Sequence, residues 1–218
     1  ARDYGRPARD DASGMLPPKL AQMMINLAGT ALNKTLLDPF CGSGTMLSEA
    51  ALMGYRGLIG TDLSEKAVED SKYNFQFSIS NFQTISNGQF PKAEIFKCDV
   101  RRLATEIKPG EVDFIVTEPY LGPQRPGADL RKVKRELDDL YSDAIREFKK
   151  ILKSGSKVVM IWPRMAGASG LVNIEPDISG FEMINNWPSE FKNMQPRELV
   201  YGREGQRVWR RIVILQKK

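Results

Sequence analysis

The chain has 218 residues, 41% hydrophobic and 27% charged, which is enough to bury a sizeable core and too apolar for intrinsic disorder. It contains no histidine, which excludes a Ser-His-Asp triad, a Cys-His pair and any His-ligated metal. Chemistry is left to carboxylates, amides, positioning or a bound cofactor. Cys41 and Cys98 are too few for a disulfide framework and fit a reducing compartment. No apolar run approaches the roughly 18 residues of a membrane span, and the charged start lacks a signal peptide, so a cytoplasmic protein with no membrane partner is expected. The net charge of +5 is gathered in the tail, where eight basic residues between Lys192 and Lys218 face only Glu198 and Glu204.

Residues 1–16 are polar and rich in Arg, Asp and Gly, and read as an irregular arm ahead of one domain over 17–218. A helix follows, entered at Pro17 and Pro18, with Leu20, Met23, Met24, Leu27 and Ala28 at helical spacing and Gly29 to close it. Short apolar runs at Thr35 to Leu37, Leu58 to Gly60, Ala93 to Phe96, Val112 to Val116 and Lys157 to Trp162 predict strands. Helices are predicted between them at Thr45 to Met53, Glu65 to Phe77 and Asp129 to Lys153, an alternation that means a parallel sheet. On the last helix Leu130, Val133, Leu137, Leu140, Tyr141, Ala144 and Phe148 share a face. Its basic residues are interleaved with Glu136, Asp138, Asp139, Asp143 and Glu147, as on a solvated surface. The runs Phe181 to Trp187, Leu199 to Tyr201 and Val208 to Leu215 carry no helical period and suggest a closing antiparallel pair. Trp209 and Tyr201 lie within the basic tail as stacking surfaces or, for Trp209, as core.

The first strand runs into Asp38-Pro39-Phe40-Cys41-Gly42-Ser43-Gly44-Thr45, a glycine-rich loop at the carboxyl end of a parallel strand, where such sheets bind ligands. Gly42 and Gly44 let backbone approach a ligand, and the helix start offers free N–H groups. The third glycine of a dinucleotide fingerprint would fall at Leu47 and is missing. The loop also lacks the Gly-Lys-Ser/Thr ending of a P-loop. A nucleoside-like ligand without phosphate remains. Asp62, in Gly60-Thr61-Asp62-Leu63-Ser64, is placed to accept both hydroxyls of a ribose. Asp99, in Lys97-Cys98-Asp99-Val100, is placed to accept from an adenine amine, with a helix N-cap before Arg101 and Arg102 as its alternative. Cys41 and Cys98 read as small core residues.

In these residues the chain resembles the class I S-adenosylmethionine methyltransferases, with Asp38 to Thr45 as the first motif. The resemblance implies a Rossmann-like α/β fold: a seven-stranded, mostly parallel sheet with an antiparallel closing strand and helices on both faces. It implies S-adenosyl-L-methionine as cofactor and no metal. The cofactor would be held by Asp38, Pro39, Phe40, Cys41, Gly42, Gly44, Thr45, Asp62, Leu63, Asp99, Val100 and Glu118. Arg6-Pro7, Met15 to Ala21, Asn26 to Gly29 and the tail Leu199 to Val208 are similar to the archaeal and eukaryotic family that methylates guanosine N2 at position ten of tRNA. That likeness implies tRNA or another structured RNA as substrate. It also implies an N-terminal THUMP-type RNA-binding module, or a partner subunit, outside this chain. The opening at Ala1, inside the arm, fits an excised fragment, or equally the loss of an initiator Met.

The fourth strand ends in Thr117-Glu118-Pro119-Tyr120-Leu121-Gly122, where that family usually has Asp-Pro-Pro-Tyr followed by Gly. The resemblance makes Glu118, Pro119 and Tyr120 the catalytic residues. In the usual motif an acidic or amide oxygen and a proline carbonyl accept the N–H bonds of an exocyclic amine, while an aromatic ring stacks on the extruded base. Here Glu118 is one methylene longer than the Asp, and Tyr120 offers a ring from a shifted position. Methylation of an adenine amine or a protein glutamine are the alternatives among enzymes. An inactive, cofactor-binding RNA-binding subunit is the alternative outside them.

Overall fold

The computed structural model describes residues 16–29, 32–80, 91–123, 127–167, 170–184 and 198–218. Most of the expected arm, with Arg6, Pro7 and Met15, lies outside the described residues, as do the 81–90 stretch, Trp187, Lys192 and Arg197.

Helix α1 (Pro18–Ala28) starts on a proline, whose missing N–H is unneeded in a first turn, and stops at Gly29, whose φ of +147° favours glycine. It buries Leu20, Ala21, Met24 and Ile25. Strands and helices then alternate as β1 (Thr35–Asp38), α2 (Thr45–Leu52), β2 (Gly57–Asp62), α3 (Glu65–Ser80) and β3 (Lys92–Lys97). A 3₁₀ turn (Val100–Arg102), α4 (Leu103–Glu106), β4 (Val112–Thr117), α5 (Leu130–Ile151) and β5 (Leu152–Gly167) follow. The chain closes with β6 (Gly170–Asn173), β7 (Phe181–Met183), β8 (Leu199–Tyr201) and β9 (Val208–Lys217).

One sheet runs β3-β2-β1-β4-β5-β9-β7, with β6 added on β5 and β8 on β9. The first five strands of this order are parallel, and β9 is antiparallel to β5, β7 and β8. The seven-stranded sheet with a closing antiparallel strand is therefore present, widened by two short strands. Helices α1, α2 and α3 pack in succession on one face, and α4 and α5 on the other. All six residues of β4, at the centre, are buried, as expected for a parallel strand covered on both sides. None of the described helices is long and apolar enough to cross a membrane.

Among the boundaries that differ from the sequence reading, the two ends of β5 have a clear physical cause. The long helix ends at Ile151, and Leu152 already pairs with Val112 of β4 before the register skips to Phe114 opposite Lys157. Gly155, at φ +76°, makes the intervening kink possible. At the other end β5 outlasts Trp162 because its partner changes. β4 is matched up to Met160 and β6 from Arg164 onward, and Pro163 falls between these ladders, where a residue without an N–H is tolerated.

The absent third glycine has a structural answer. A Cβ added to Gly60 of β2 would lie 2.4 Å from Leu47 Cδ1, so the space that a helix glycine would leave is left instead by a strand glycine. Gly60→Ala should cost about 1–3 kcal/mol through overpacking. Leu47→Ala, which alone opens a cavity, should cost less in the Gly60→Ala background than in the wild type. Urea denaturation of the four proteins checks this; strictly additive costs would show that the contact is not the constraint.

Candidate active site

The carboxyl ends of β1 to β4 carry Asp38, Asp62, Asp99 and Glu118 to one edge of the sheet. The loop after β1 is tied down by backbone: Cys41 N–H donates to the Thr61 carbonyl (2.9 Å) and Gly44 N–H to the Cys41 carbonyl (2.7 Å). Asn74 Nδ2 of α3 donates to the Ser43 carbonyl at 2.9 Å. Gly44, at φ +81°, lies so close to α3 that a Cβ would stand 2.5 Å from Ser71 Oγ. Gly42, at φ +48°, has nothing within 4 Å of such a Cβ, so its exposed side is free for a ligand. Of the other expected residues here, Pro39, Cys41 and Thr45 are buried and Phe40 is half-buried. Burial pushes both cysteine thiols up, so they stay protonated and packed rather than nucleophilic.

Asp62 closes this loop from the next strand, its Oδ2 accepting from Gly42 N–H at 3.0 Å and its Oδ1 from Ser64 N–H at 2.9 Å. One carboxylate thus fixes both loops, and each oxygen keeps a second lone pair. Leu63 beside it is 65% exposed, an apolar side chain offered to solvent at the rim. Asp99 takes the capping role that was its alternative: Oδ1 accepts from Arg101 N–H at 3.0 Å. Its neighbour Val100 is buried.

Asp38 is 3% exposed. Thr117 Oγ1, at the end of β4, donates to its Oδ1 at 2.6 Å, and Phe40 N–H donates at 3.3 Å. Among the described residues no cation pairs with it. Burial above all, and then Asp62 and Glu118 against the two hydrogen bonds, pushes its carboxyl up to about 7.

Glu118 is half-buried, and its Oε1 accepts from Arg210 Nε of β9, both side chains 12–13% exposed. Burial pushes the Glu118 carboxyl up while Arg210 pulls it down. Pro119 is buried, Leu121 is 8% exposed and Tyr120 is 59% exposed. The ring that faces solvent after β4 is therefore Tyr120, at the shifted position. Its carbonyl accepts from the hydroxyl of buried Tyr141 on α5 at 3.2 Å. Among the described residues no group of three or more Cys, Asp or Glu is placed to hold a metal ion.

Sequence reasoning did not single out Arg210 and Tyr141. Arg210 counted only toward the basic tail, and Tyr141 only toward a helical apolar face; nothing local marks either one, because each partner lies far along the chain. The tail is also less cationic than its composition, since Arg211 pairs with Glu198 at 3.1 Å and Arg164 with the same carboxylate. Trp209 is half-buried, its indole N–H donating to the Gln206 carbonyl at 3.2 Å.

The family model described as an RMKL-like methyltransferase domain matches residues 6–167. A tRNA (guanine(10)-N2)-dimethyltransferase of Methanothermobacter thermautotrophicus is 34% identical over 73% of this chain and 42% of its own length. A tRNA (guanine(6)-N2)-methyltransferase of Thermus thermophilus is 30% identical over 70% of this chain and 41% of its own. Among solved structures, TrmN from Thermus thermophilus superposes with a TM-score of 0.62 at 25% identity, over 94% of this chain and 50% of that one. The chain thus spans half or less of the length of these relatives.

The Asp38 carboxyl gives the site a pH signature. In the unfolded chain it titrates near 3.8, and in the folded protein near 7, so ionising it costs the folded state progressively between those values. Asp38→Asn cannot ionise. Its stability relative to wild type should therefore rise between pH 4 and pH 8, by about 1–4 kcal/mol, in urea melts. A difference constant across that range would refute the assignment.

Proposed function

The chain belongs to the RMKL-like methyltransferase domain family, and from that premise we propose that it uses S-adenosylmethionine to methylate the exocyclic N2 of a guanine in tRNA. The observation that carries this reading is the set of carboxylates on successive parallel strands around an open glycine loop, with Asp38 buried and lacking a cation among the described residues. An anionic pocket of this kind suits a ligand that bears positive charge. The names of the relatives supply the substrate class.

The residues present fit the cofactor. Asp62 has lone pairs left for ribose hydroxyls, Leu63 offers an apolar cover for a base, and Asp99 Oδ2, beyond the cap bond, has only the long 3.9 Å ion pair with Arg101 among the described residues. Asp38 offers negative charge, and Gly42 leaves room for close approach. S-adenosylmethionine, when bound, supplies an electrophilic methyl group on a sulfonium.

The remaining work falls to the end of β4. A guanine N2 is a weak nucleophile because its lone pair is delocalised into the ring. The free oxygen of Glu118 and the carbonyl of Pro119 can accept its two N–H bonds and so aim the lone pair along the line of transfer. The exposed Tyr120 ring is positioned to stack on a base taken out of its helix. Once the nitrogen carries the methyl group it is cationic and acidic and gives its surplus proton to water, so no strong base is required.

We assign bulk tRNA docking to a THUMP-type module or partner subunit outside these residues, and the protein to the cytoplasm. Among the described tail residues, Arg203, Arg207 and Lys218 are the exposed basic side chains, too few for more than a small share of the phosphate contacts a tRNA complex needs.

Nucleoside mass spectrometry of tRNA incubated with the protein and S-adenosylmethionine should show N2-methylated guanosine. Glu118→Ala should lower the rate by about 10²–10³-fold and Glu118→Gln by less, as for loss or weakening of a positioned transition-state partner. Cofactor affinity, read by calorimetry, should change little in either variant. A methyl group found elsewhere, or equal rates for wild type and Glu118→Ala, would refute the reading.

A further inference from the structure

The pairing of Glu118 with Arg210 is not explained by stability. Both side chains are only 12–13% exposed, and an ion pair taken from water repays little of its desolvation cost. It also spans the sheet: β9 lies two strands from β4, roughly 9–10 Å away, and a full-length arginine is needed to cross β5. Arg210 stands opposite Pro163 in the β5 ladder, whereas its neighbour Arg211 stands opposite Trp162, packs over that ring at 5.7 Å and pairs with Glu198. Alternation along β9 therefore sends one arginine to a structural contact and the next to the functional edge.

The surroundings of Glu118 otherwise favour its protonated form. Burial pushes its carboxyl up, and from β1 the Asp38 carboxyl, itself held protonated to about pH 7, supplies no positive charge to offset that. On β4, the Thr117 hydroxyl is spent on Asp38. From α5, the Tyr141 hydroxyl is spent on the Tyr120 carbonyl. Among the described residues Arg210 is the one cation paired with Glu118, and it occupies Oε1 while Oε2 carries no partner. A glutamate has one more rotatable bond than an aspartate, and the guanidinium removes that freedom by fixing one oxygen and leaving the other to a substrate.

We propose that Arg210 is a positioning residue that holds Glu118 ionised and aimed, so that the site accepts an amine flanked by a second N–H donor and rejects an amine flanked by a ring acceptor. Guanine presents N1–H beside its N2 amine and matches an acceptor-only group. Adenine presents the N1 lone pair beside its N6 amine and would be set against a carboxylate, and a buried mismatch of that kind is where polar sites discriminate most. A protonated Glu118 would lose this preference, because its O–H could donate to adenine N1. The inference rests on the proposed methylation and supplies the basis for its choice of base.

The test compares wild type, Arg210→Met, Arg210→Gln and Glu118→Gln with unmodified tRNA transcripts and S-adenosylmethionine. It follows kcat and KM from pH 6 to 9 and quantifies N2-methylguanosine and N6-methyladenosine. Arg210→Met should lower kcat at pH 7 at least 10-fold, leave cofactor Kd within 3-fold, and move the acid limb of kcat up by a pH unit or more, so that activity returns toward pH 9. Arg210→Gln keeps a hydrogen-bond donor without charge and should shift the limb in the same direction, which keeps the test decisive if the Met variant does not fold. Glu118→Gln, having no carboxyl there, should lack the limb altogether. Guanosine methylation by wild type with an unshifted limb in both Arg210 variants would overturn this inference and leave the proposed function standing. Adenosine as the wild-type product would overturn both.

Discussion

A carboxyl buried at the end of β1, with no cation beside it among the described residues, is the constraint on which the rest of this site depends. Asp38 is 3% exposed, held by Thr117 and by the Phe40 N–H, and burial keeps its proton on to about pH 7. A fold gains little from such a group in isolation, since a carboxyl that burial forces to stay protonated gives up the hydration its ionised form has in water. Its position makes sense if positive charge arrives with a ligand. The bond from Thr117 also couples the first and fourth strands, so the residue that sits under the glycine loop is held by the residue that precedes Glu118.

The edge is built from backbone as much as from side chains. Asp62 clasps Gly42 and Ser64, Cys41 is hydrogen-bonded to Thr61, and Cys98 N–H donates to the Asp62 carbonyl at 3.0 Å. Loops after three strands are thereby locked in relative position by the protein's own hydrogen bonds, the kind of preorganisation that catalysis by positioning requires. The closing strand β9 completes the arrangement by bringing Arg210 to the fourth loop.

Much of this was legible in the sequence because the signals were local. The proline entry to α1, the glycine loop, Asp62 eighteen residues after Gly44 and the aperiodic tail each sit within a short window, where spacing alone reports on structure. What was not legible depends on residues distant in the chain. The Arg210 to Glu118 pair joins positions 92 apart, and the trade of a helix glycine for Gly60 becomes visible only when α2 is laid on β2. The start of β5 at Leu152 escaped because a strongly amphipathic helix runs into it with no polar break. Asp99 shows a different limit: its sequence context allowed both a cap and a ligand contact, and the cap is made without excluding the other.

Whether Asp38 meets a cationic ligand is read most directly by titrating its side-chain carboxyl by carbon NMR, alone and saturated with S-adenosylmethionine. Without the cofactor the carboxyl should titrate near 7. With it the midpoint should fall by at least two pH units, because the bound positive charge favours the ionised form. A midpoint unmoved by saturating cofactor would show that Asp38 does not face the ligand's charge and that the buried carboxyl has another role.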